Sequence, residues 1–297
     1  MIHDVVDLAH WQELFQCNVI QKLSEQELQR ERADMTSPFQ LVINERLREM
    51  AGVAKYRHQA VPTDIFIFAE GEPSRREVTK IGGLPYRPAN LPWLTLPSGK
   101  PMTFVAQLCF ADSRDILGSL PGDVLLIFAE TDEYGVVYNW LYEDEMQRQF
   151  VFEWVSCGDF PLVTAEMIPR AEWRPFPCFG AIHRTYDYPT FDDLAHPDIA
   201  EYIPGINSAT KIGGLPSWIH HEEILPGQFL CELNSTMPEQ LLPYPFLNQS
   251  EPLVNHWAEK RSRESQEFDG LLHWGDVGTL YLFIDNEGQI HWTIQLT

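Results

Sequence analysis

Thr79-Lys80-Ile81-Gly82-Gly83-Leu84-Pro85 and Thr210-Lys211-Ile212-Gly213-Gly214-Leu215-Pro216 are the same heptapeptide written twice in one chain. Identity over seven consecutive residues is the mark of an internal duplication, and further landmarks follow each copy in the same order. Phe104-Val105-Ala106-Gln107-Leu108 is echoed by Phe229-Leu230-Cys231-Glu232-Leu233. Gly122-Asp123-Val124 before Leu125-Leu126-Ile127-Phe128 is echoed by Gly275-Asp276-Val277 before Leu280-Tyr281-Leu282-Phe283. Each copy then turns back, the first through Thr131–Gly135 into Val136–Leu141, the second through Asp285–Gly288 into Gln289–Leu296. Turn-forming residues between β-type runs predict a closing antiparallel hairpin in both, and in the second copy Ile290, Trp292, Ile294 and Leu296 alternate with polar residues. Leu108 and Gly122 are 14 positions apart and Leu233 and Gly275 are 42, so the second copy carries an insertion of about 28 residues, including a charged helical stretch over 253–268.

Outward from the repeats the texture changes. Residues 1–55 read as a helical segment: Leu8, Trp11 and Phe15 share one face, and Ser24 with Glu27 forms a capping box. A further helix starts at Ser37-Pro38, buries Phe39, Ile43, Leu47 and Met50, and ends at Gly52 in a left-handed turn. Beyond it, 22 prolines and 18 glycines divide β-type runs such as Ile65-Phe66-Ile67-Phe68. Strands are also expected at 150–155, 162–168 and 176–182, with a helix or helical pair over 191–202. The expected fold class is therefore α+β, rich in antiparallel sheet, with two pseudo-repeats in one globular body and an N-terminal helical segment. Its parts are 1–55, repeat I over about 60–142, a connecting segment over about 143–208, and repeat II over about 209–297.

The order of K-I-G-G-L-P, Trp93, Phe104–Leu108 and the late Gly275-Asp276 before Leu280–Phe283 resembles the YwqG-like family of bacterial proteins, over about residues 60–297. The resemblance implies a mixed α+β fold rich in antiparallel sheet and built from two related halves. That family is one of unknown function, so no catalytic residue is carried over, and residues 1–55 lie outside it.

Charge narrows the partners. The 43 acidic residues against 21 basic give a net charge of −22, which repels a phosphate backbone, so no nucleic acid partner is expected. Residues 143–297 contribute −16 of that and residues 1–142 only −6. An acidic half with aromatic anchors suits a basic protein partner, because charge speeds encounter and aromatics hold the complex. Met1 to Ile20 carries Asp4, Asp7 and Glu13 and reads as neither a signal nor a transit peptide, and no run is long enough to span a bilayer. The expectation is a cytoplasmic protein without membrane contact. Cys17, Cys109, Cys157, Cys178 and Cys231 are odd in number and scattered, the pattern of buried reduced thiols.

The candidate binding residues are those of the duplicated motif: Lys80, Gly82, Gly83 and Gln107, with Lys211, Gly213, Gly214 and Glu232. Paired glycines supply positive φ or close backbone approach, and the proline that follows the leucine stops a helix, so each heptapeptide predicts a strand running into a turn. Only six lysines occur in the chain, and two hold equivalent places in the motif. Structurally each would pair with a carboxylate of the sheet, Asp123 or Asp276; functionally, lysine and Gly-Gly amides would bind an anion. The structural reading is preferred, since ion pairs in duplicated folds commonly serve packing. Gln107 and Glu232 interrupt apolar strands at the same point, marking either a polar pocket or the solvent face of an alternating strand, with the solvent face expected.

Catalytic motifs are missing: the sequence has no G-x-S-x-G, no phosphate loop, no G-x-G-x-x-G and no H-E-x-x-H. His220-His221-Glu222-Glu223 is the one concentrated set of ligand-type residues, but adjacent residues point to different sides, so no metal and no cofactor is assigned. The sequence leaves the oligomeric state open. The expected function is a non-catalytic acidic binding protein, in one version an immunity-type protein masking a basic partner. The alternative is an enzyme or small-anion binder using a cleft between the repeats.

Overall fold

In the computed structural model of the chain, the residues described are 44–46, 48–49, 52–132, 135–136, 150–189, 206–236, 271–275 and 277–296. Ten strands form one antiparallel sheet: β1 (Val61–Glu70), β2 (Lys80–Ile81), β3 (Thr103–Cys109), β4 (Val124–Ala129), β7 (Phe150–Val155), β8 (Cys178–Asp187), β9 (Lys211–Gly213), β10 (Gln228–Asn234), β11 (Gly278–Ile284) and β12 (Ile290–Leu296). A two-stranded ribbon, β5 (Thr131–Asp132) with β6 (Gly135–Val136), stands apart. The order is β12-β11-β10-β9-β1-β8-β2-β3-β4-β7.

That order is a palindrome of roles. β1 and β8 pair antiparallel at the centre, Ile67 opposite Ala181. β2 adds to β8 at Cys178 and Phe179, as β9 adds to β1 at Thr63–Ile65. Outward, β3, β4 and β7 on one side correspond to β10, β11 and β12 on the other. Even the irregularities match: the β3–β4 register shifts between Phe104 and Ala106, and the β10–β11 register between Phe229 and Cys231, the equivalent residues. The structural repeat is thus wider than the sequence repeat, since β7, β8 and the stretch between them fall in 143–208. Repeat II closes with the β11–β12 hairpin, whereas the partner of β4 is β7, and Thr131 and Asp132 pair with Val136 and Gly135 in the small ribbon.

The α+β expectation is overturned: the fold is mostly antiparallel β, a nearly closed, barrel-like sheet. Helix among the described residues is confined to residues 44–46 and 48–49, one turn at Arg114–Leu117, and 3₁₀ segments at Val53–Gln59, Ala111–Ser113 and Ala165–Met167. The last of these replaces the strand expected at 162–168. The physical reason is that, among the described residues, the apolar face of each half-sheet is buried against strands of the other half. Phe66, Val105, Leu108, Ile127, Ile212, Leu233, Leu280 and Leu282 share one interior cluster. Aromatic rings bridge the two edge strands, with Phe150 of β7 edge-on to Trp292 of β12 at 4.8 Å between centroids.

The outer face of the sheet is covered as well. In repeat I, Phe104, Leu126 and Phe128 lie under the loop carrying Trp93 and Leu94, and in repeat II Trp218 packs on Tyr281 and Phe283. This is why β3, β4 and β11 are buried along their whole length and read as nearly continuous apolar runs. Gly52 ends the helical residues in a left-handed turn at φ 84°. Residues 44–46 and 48–49 are helical as expected for the helix from Ser37 to Gly52; its remaining residues before Gly52, the helices expected before it, and those at 191–202 and 253–268 lie outside the described residues. Of the cysteines, Cys109, Cys178 and Cys231 are buried, but Cys157 is exposed, contrary to the expectation of buried thiols; Cys17 lies outside the described residues.

The two glycines of each heptapeptide are demanded by close approach. All four have positive φ, between 61° and 74°. A Cβ on Gly214 would lie 2.3 Å from an Asp187 carboxylate oxygen and 2.8 Å from Thr63 Cβ, whereas one on Gly99, also at positive φ, would meet nothing within 4 Å. Gly214→Ala is therefore expected to destabilise the fold by about 2–4 kcal/mol and Gly99→Ala by about 1 kcal/mol, read from urea unfolding midpoints. Equal losses would show that the clasp is not what requires glycine.

Candidate functional site

The heptapeptide runs along the sheet for two or three residues, then wraps a carboxylate. In repeat I, Lys80 Nζ donates to Glu72, and the Leu84 amide donates to the other oxygen of that carboxylate at 3.2 Å. In repeat II, Lys211 Nζ donates to Asp187 Oδ2 at 2.9 Å and the Leu215 amide donates to the same oxygen at 2.9 Å. The glycines let the chain curl tightly enough for ammonium and amide to meet one carboxylate. Thr79 and Thr210 complete the unit, each hydroxyl accepting a bond from a backbone amide of the next strand, Cys109 N at 2.9 Å and Asn234 N at 3.0 Å.

The partners differ from the expectation. Asp123 instead receives Arg114 and the Cys157 amide, and Asp276 lies outside the described residues. Glu72 and Asp187 carry no duplication signal, since one precedes its lysine by 8 positions and the other by 24. Nothing in the sequence pattern marks them.

Gln107 and Glu232 sit opposite Lys80 and Lys211 across the ladder. Neither faces solvent, both being 0% exposed, so the solvent-face expectation is corrected. The loops folded over the outer face bury them. Gln107 Oε1 accepts the Tyr86 amide at 2.8 Å while its Nε2 donates to the carbonyls of Arg76 and Val78. Glu232 Oε2 accepts the equivalent amide, Ser217 N, at 2.9 Å, and its other oxygen accepts the Ser217 hydroxyl. A carboxylate has no donor for the carbonyls that Gln107 serves; Lys211 Nζ fills that role by donating to Asn207 O at 2.6 Å. Burial pushes the Glu232 carboxyl up to about 7, against the opposing pull of Lys211 at 3.8 Å and the Ser217 bonds. Burial also lowers the Lys80 ammonium to about 8, with Glu72 opposing.

The repeat II cluster reaches the N-terminal segment. Asn207 donates both its backbone and side-chain N–H to Asp187 Oδ1, and Arg48, 1% exposed, donates to Asn207 Oδ1 at 2.8 Å. Glu45 binds His183 and the Thr185 hydroxyl beside it. Sequence reading missed this anchorage entirely.

The two lysines do not meet. β1 and β8 stand between β2 and β9, and each ammonium is spent on an internal carboxylate. The His220–Glu223 loop backs onto Gln295, which accepts the His220 amide and donates to His221 O and Glu223. Among the described residues no group of three or more His, Cys, Asp and Glu is placed to hold a metal. Cys231 is fully buried, and burial raises its thiol well above the ordinary value, the opposite of an activated nucleophile.

Two surface features remain open. A cavity of about 260 Å³ lies beside Gly82, Gly83 and Trp93 on the outer face of repeat I. An open groove of about 750 Å³ lies between repeat I at Ser119–Pro121 and repeat II at Gly227, Gln228 and the 284–288 turn, with Asp285 and Glu287 as its charged residues.

Removing one member of a buried pair strands the other, so Lys211→Met is expected to cost about 3–5 kcal/mol in urea unfolding. Lys80→Met should cost less, because its partner Glu72 is 27% exposed and can turn to water. Equal costs would contradict the difference in burial. Glu232 gives the fold a pH dependence of its own. Its folded pKa of about 7 lies above the ordinary 4.5, so between these values the unfolded chain releases a proton that the folded protein keeps. Stability therefore falls as pH rises through that window, by roughly 3 kcal/mol. Glu232→Gln, which installs the residue of repeat I, should abolish this slope and gain over the parent in thermal midpoint at pH 8; an unchanged slope would rule out Glu232 as its source.

No curated protein matches the chain. A family signature does, over residues 79–289, from the first heptapeptide to the turn before β12, and so spans both motifs and the intervening β8. The chain belongs to the family described as a domain of unknown function, DUF1963.

Proposed function

We propose that this protein is a cytoplasmic, non-catalytic binding protein of YwqG-like type whose acidic surface engages a cationic protein. The observation that carries the reading is the fate of the reactive groups. Lys80, Lys211 and Glu232 are buried in internal pairs and Cys231 is sealed in the barrel interior, in a chain whose net charge is −22. Among the described residues, the groove between the repeats is lined by Asp285 and Glu287 and by no basic residue. A lysine or arginine of a partner would find there both a concave seat and attraction at a distance. No helix of the described residues is long and apolar enough to cross a membrane, which suits the compartment proposed. An immunity-type protein that masks a basic toxin is the concrete form of this reading.

The test is capture of the tagged protein's partners from its source cells at low and moderate salt, beside the variant Asn286→Lys/Glu287→Lys. Both residues are exposed at the turn tip, so the change should leave the fold intact. A stoichiometric basic partner retained at moderate salt and weakened about tenfold or more by the variant is expected. No basic partner, or one indifferent to the substitution, would overturn the proposal for this groove.

A further inference from the structure

The cavity beside the first Gly-Gly pair has a composition unlike the rest of the molecule. Its floor is Met102 and Phe104 of the sheet's outer face, and its roof is the proline-rich strap that crosses the heptapeptide at Pro175 and Pro177. The strap approaches so closely that a Cβ on Gly82 would lie 2.3 Å from Pro175 O. Trp93 forms a wall whose position is fixed from two sides. Its Nε1 donates to Met102 O at 2.8 Å, and its ring stands edge-on to Phe128 at 5.5 Å. An apolar cavity with a pinned aromatic wall is preorganised for a small ligand, with little ordering left to do on binding.

Charge decides which ligand. Arg170 and Arg174 line the cavity, both exposed, and among the described residues no acidic one does, in a chain with 43 carboxylate side chains and 21 cationic ones. Arg174 is steadied by a bond to Pro169 O. The remaining walls are apolar side chains and glycine backbone, apart from Thr103, whose hydroxyl is bonded to Thr131 Oγ1 at 2.6 Å. An anionic head would meet guanidinium donors at the mouth while an apolar body fills the interior, a division of labour usual for small-molecule sites. At about 260 Å³ the volume is just under the usual range for ligand pockets, about 300–1,000 Å³, which points to a compact molecule.

The duplication supplies an internal comparison. At the equivalent glycine of repeat II, Gly213, the place of a Cβ lies 2.4 Å from Ile116 Cγ2, a side chain of the short helix Arg114–Leu117. There the loop is plugged by a side chain. At Gly82 the covering group is the backbone of the strap, and the space beside it stays open.

We infer that the cavity bounded by Trp93, Gly82, Gly83 and the Arg170–Arg174 strap is a binding site for a small aromatic or aliphatic carboxylate. The carboxylate sits on the two arginines and the apolar body lies against Trp93. This site is separate from the acidic inter-repeat groove and takes a ligand of opposite charge.

The experiment is calorimetric titration of the full chain with indole-3-acetate, benzoate and octanoate, with indole-3-acetamide as the uncharged control. At least one carboxylate should bind with one-to-one stoichiometry, and indole-3-acetamide should bind about tenfold or more weaker than indole-3-acetate if that is the ligand bound. Arg170→Gln/Arg174→Gln, on exposed positions, should weaken the bound carboxylate by a similar factor without moving the thermal midpoint. Ala171→Phe, which fills the cavity from its wall, should abolish binding. Absence of binding by all three carboxylates overturns the inference, as does binding that survives Ala171→Phe or ignores the arginine substitutions. An Ala171→Phe protein that fails to fold leaves the arginine pair as the deciding measurement.

Discussion

A carboxylate held jointly by a lysine ammonium and a backbone amide, fully buried in repeat II and partly exposed in repeat I, is the interaction on which each half of this protein is built. Taking both charges out of water is costly, and the cost is offset only when geometry is good and the remaining lone pairs are satisfied. Asp187 meets that condition fully: it accepts from Lys211, from the Leu215 amide and from Asn207 twice. To bring ammonium and amide to the same carboxylate, the chain must reverse within a few residues, and only glycine tolerates both the positive φ and the crowding. The reversal then throws the following segment back over the outer face of the sheet. The clasp thereby dictates that the sheet is buried on both sides, and that in turn explains strands apolar along their whole length.

The two identical heptapeptides form two such clasps, and their differences are as informative as their likeness. Gln107 can accept and donate at once, so repeat I satisfies its loop with a neutral side chain. Glu232 only accepts, so repeat II recruits Lys211 to a backbone carbonyl and becomes a denser charge cluster, to which Arg48 of the N-terminal segment adds through Asn207. Repeat II is thereby committed to holding the molecule together. Repeat I, with the lighter network and a partly exposed carboxylate, keeps an open cavity beside its clasp.

Barrel closure sets the second constraint. The two halves pair along β1 and β8, and their far edges approach closely enough for Phe150 and Trp292 to touch. One interior cluster then serves both repeats, so neither half buries its apolar face alone.

Local order fixed much of this in the sequence. The identical heptapeptides, the echoed Phe104–Leu108 and Phe229–Leu233, and the hairpin around Asp285–Gly288 are local patterns, and a linear reading finds them because duplication and turn chemistry act over neighbouring residues. The lysine–carboxylate pairing was legible as a kind of interaction, but its acceptors were not. Glu72 and Asp187 lie at unequal distances along the chain and meet their lysines only because strands from different places are laid side by side. Gln107 and Glu232 look like the polar half of an alternating strand until a loop folds over them. The overall class was misread for the same reason, since periodicity shows that a strand has an apolar face and not what covers it. Sequence determined the units and the turn that defines them; tertiary structure decided which carboxylates are buried, which side of the sheet is dry and where a cavity is left, because those depend on contacts between residues far apart in the chain.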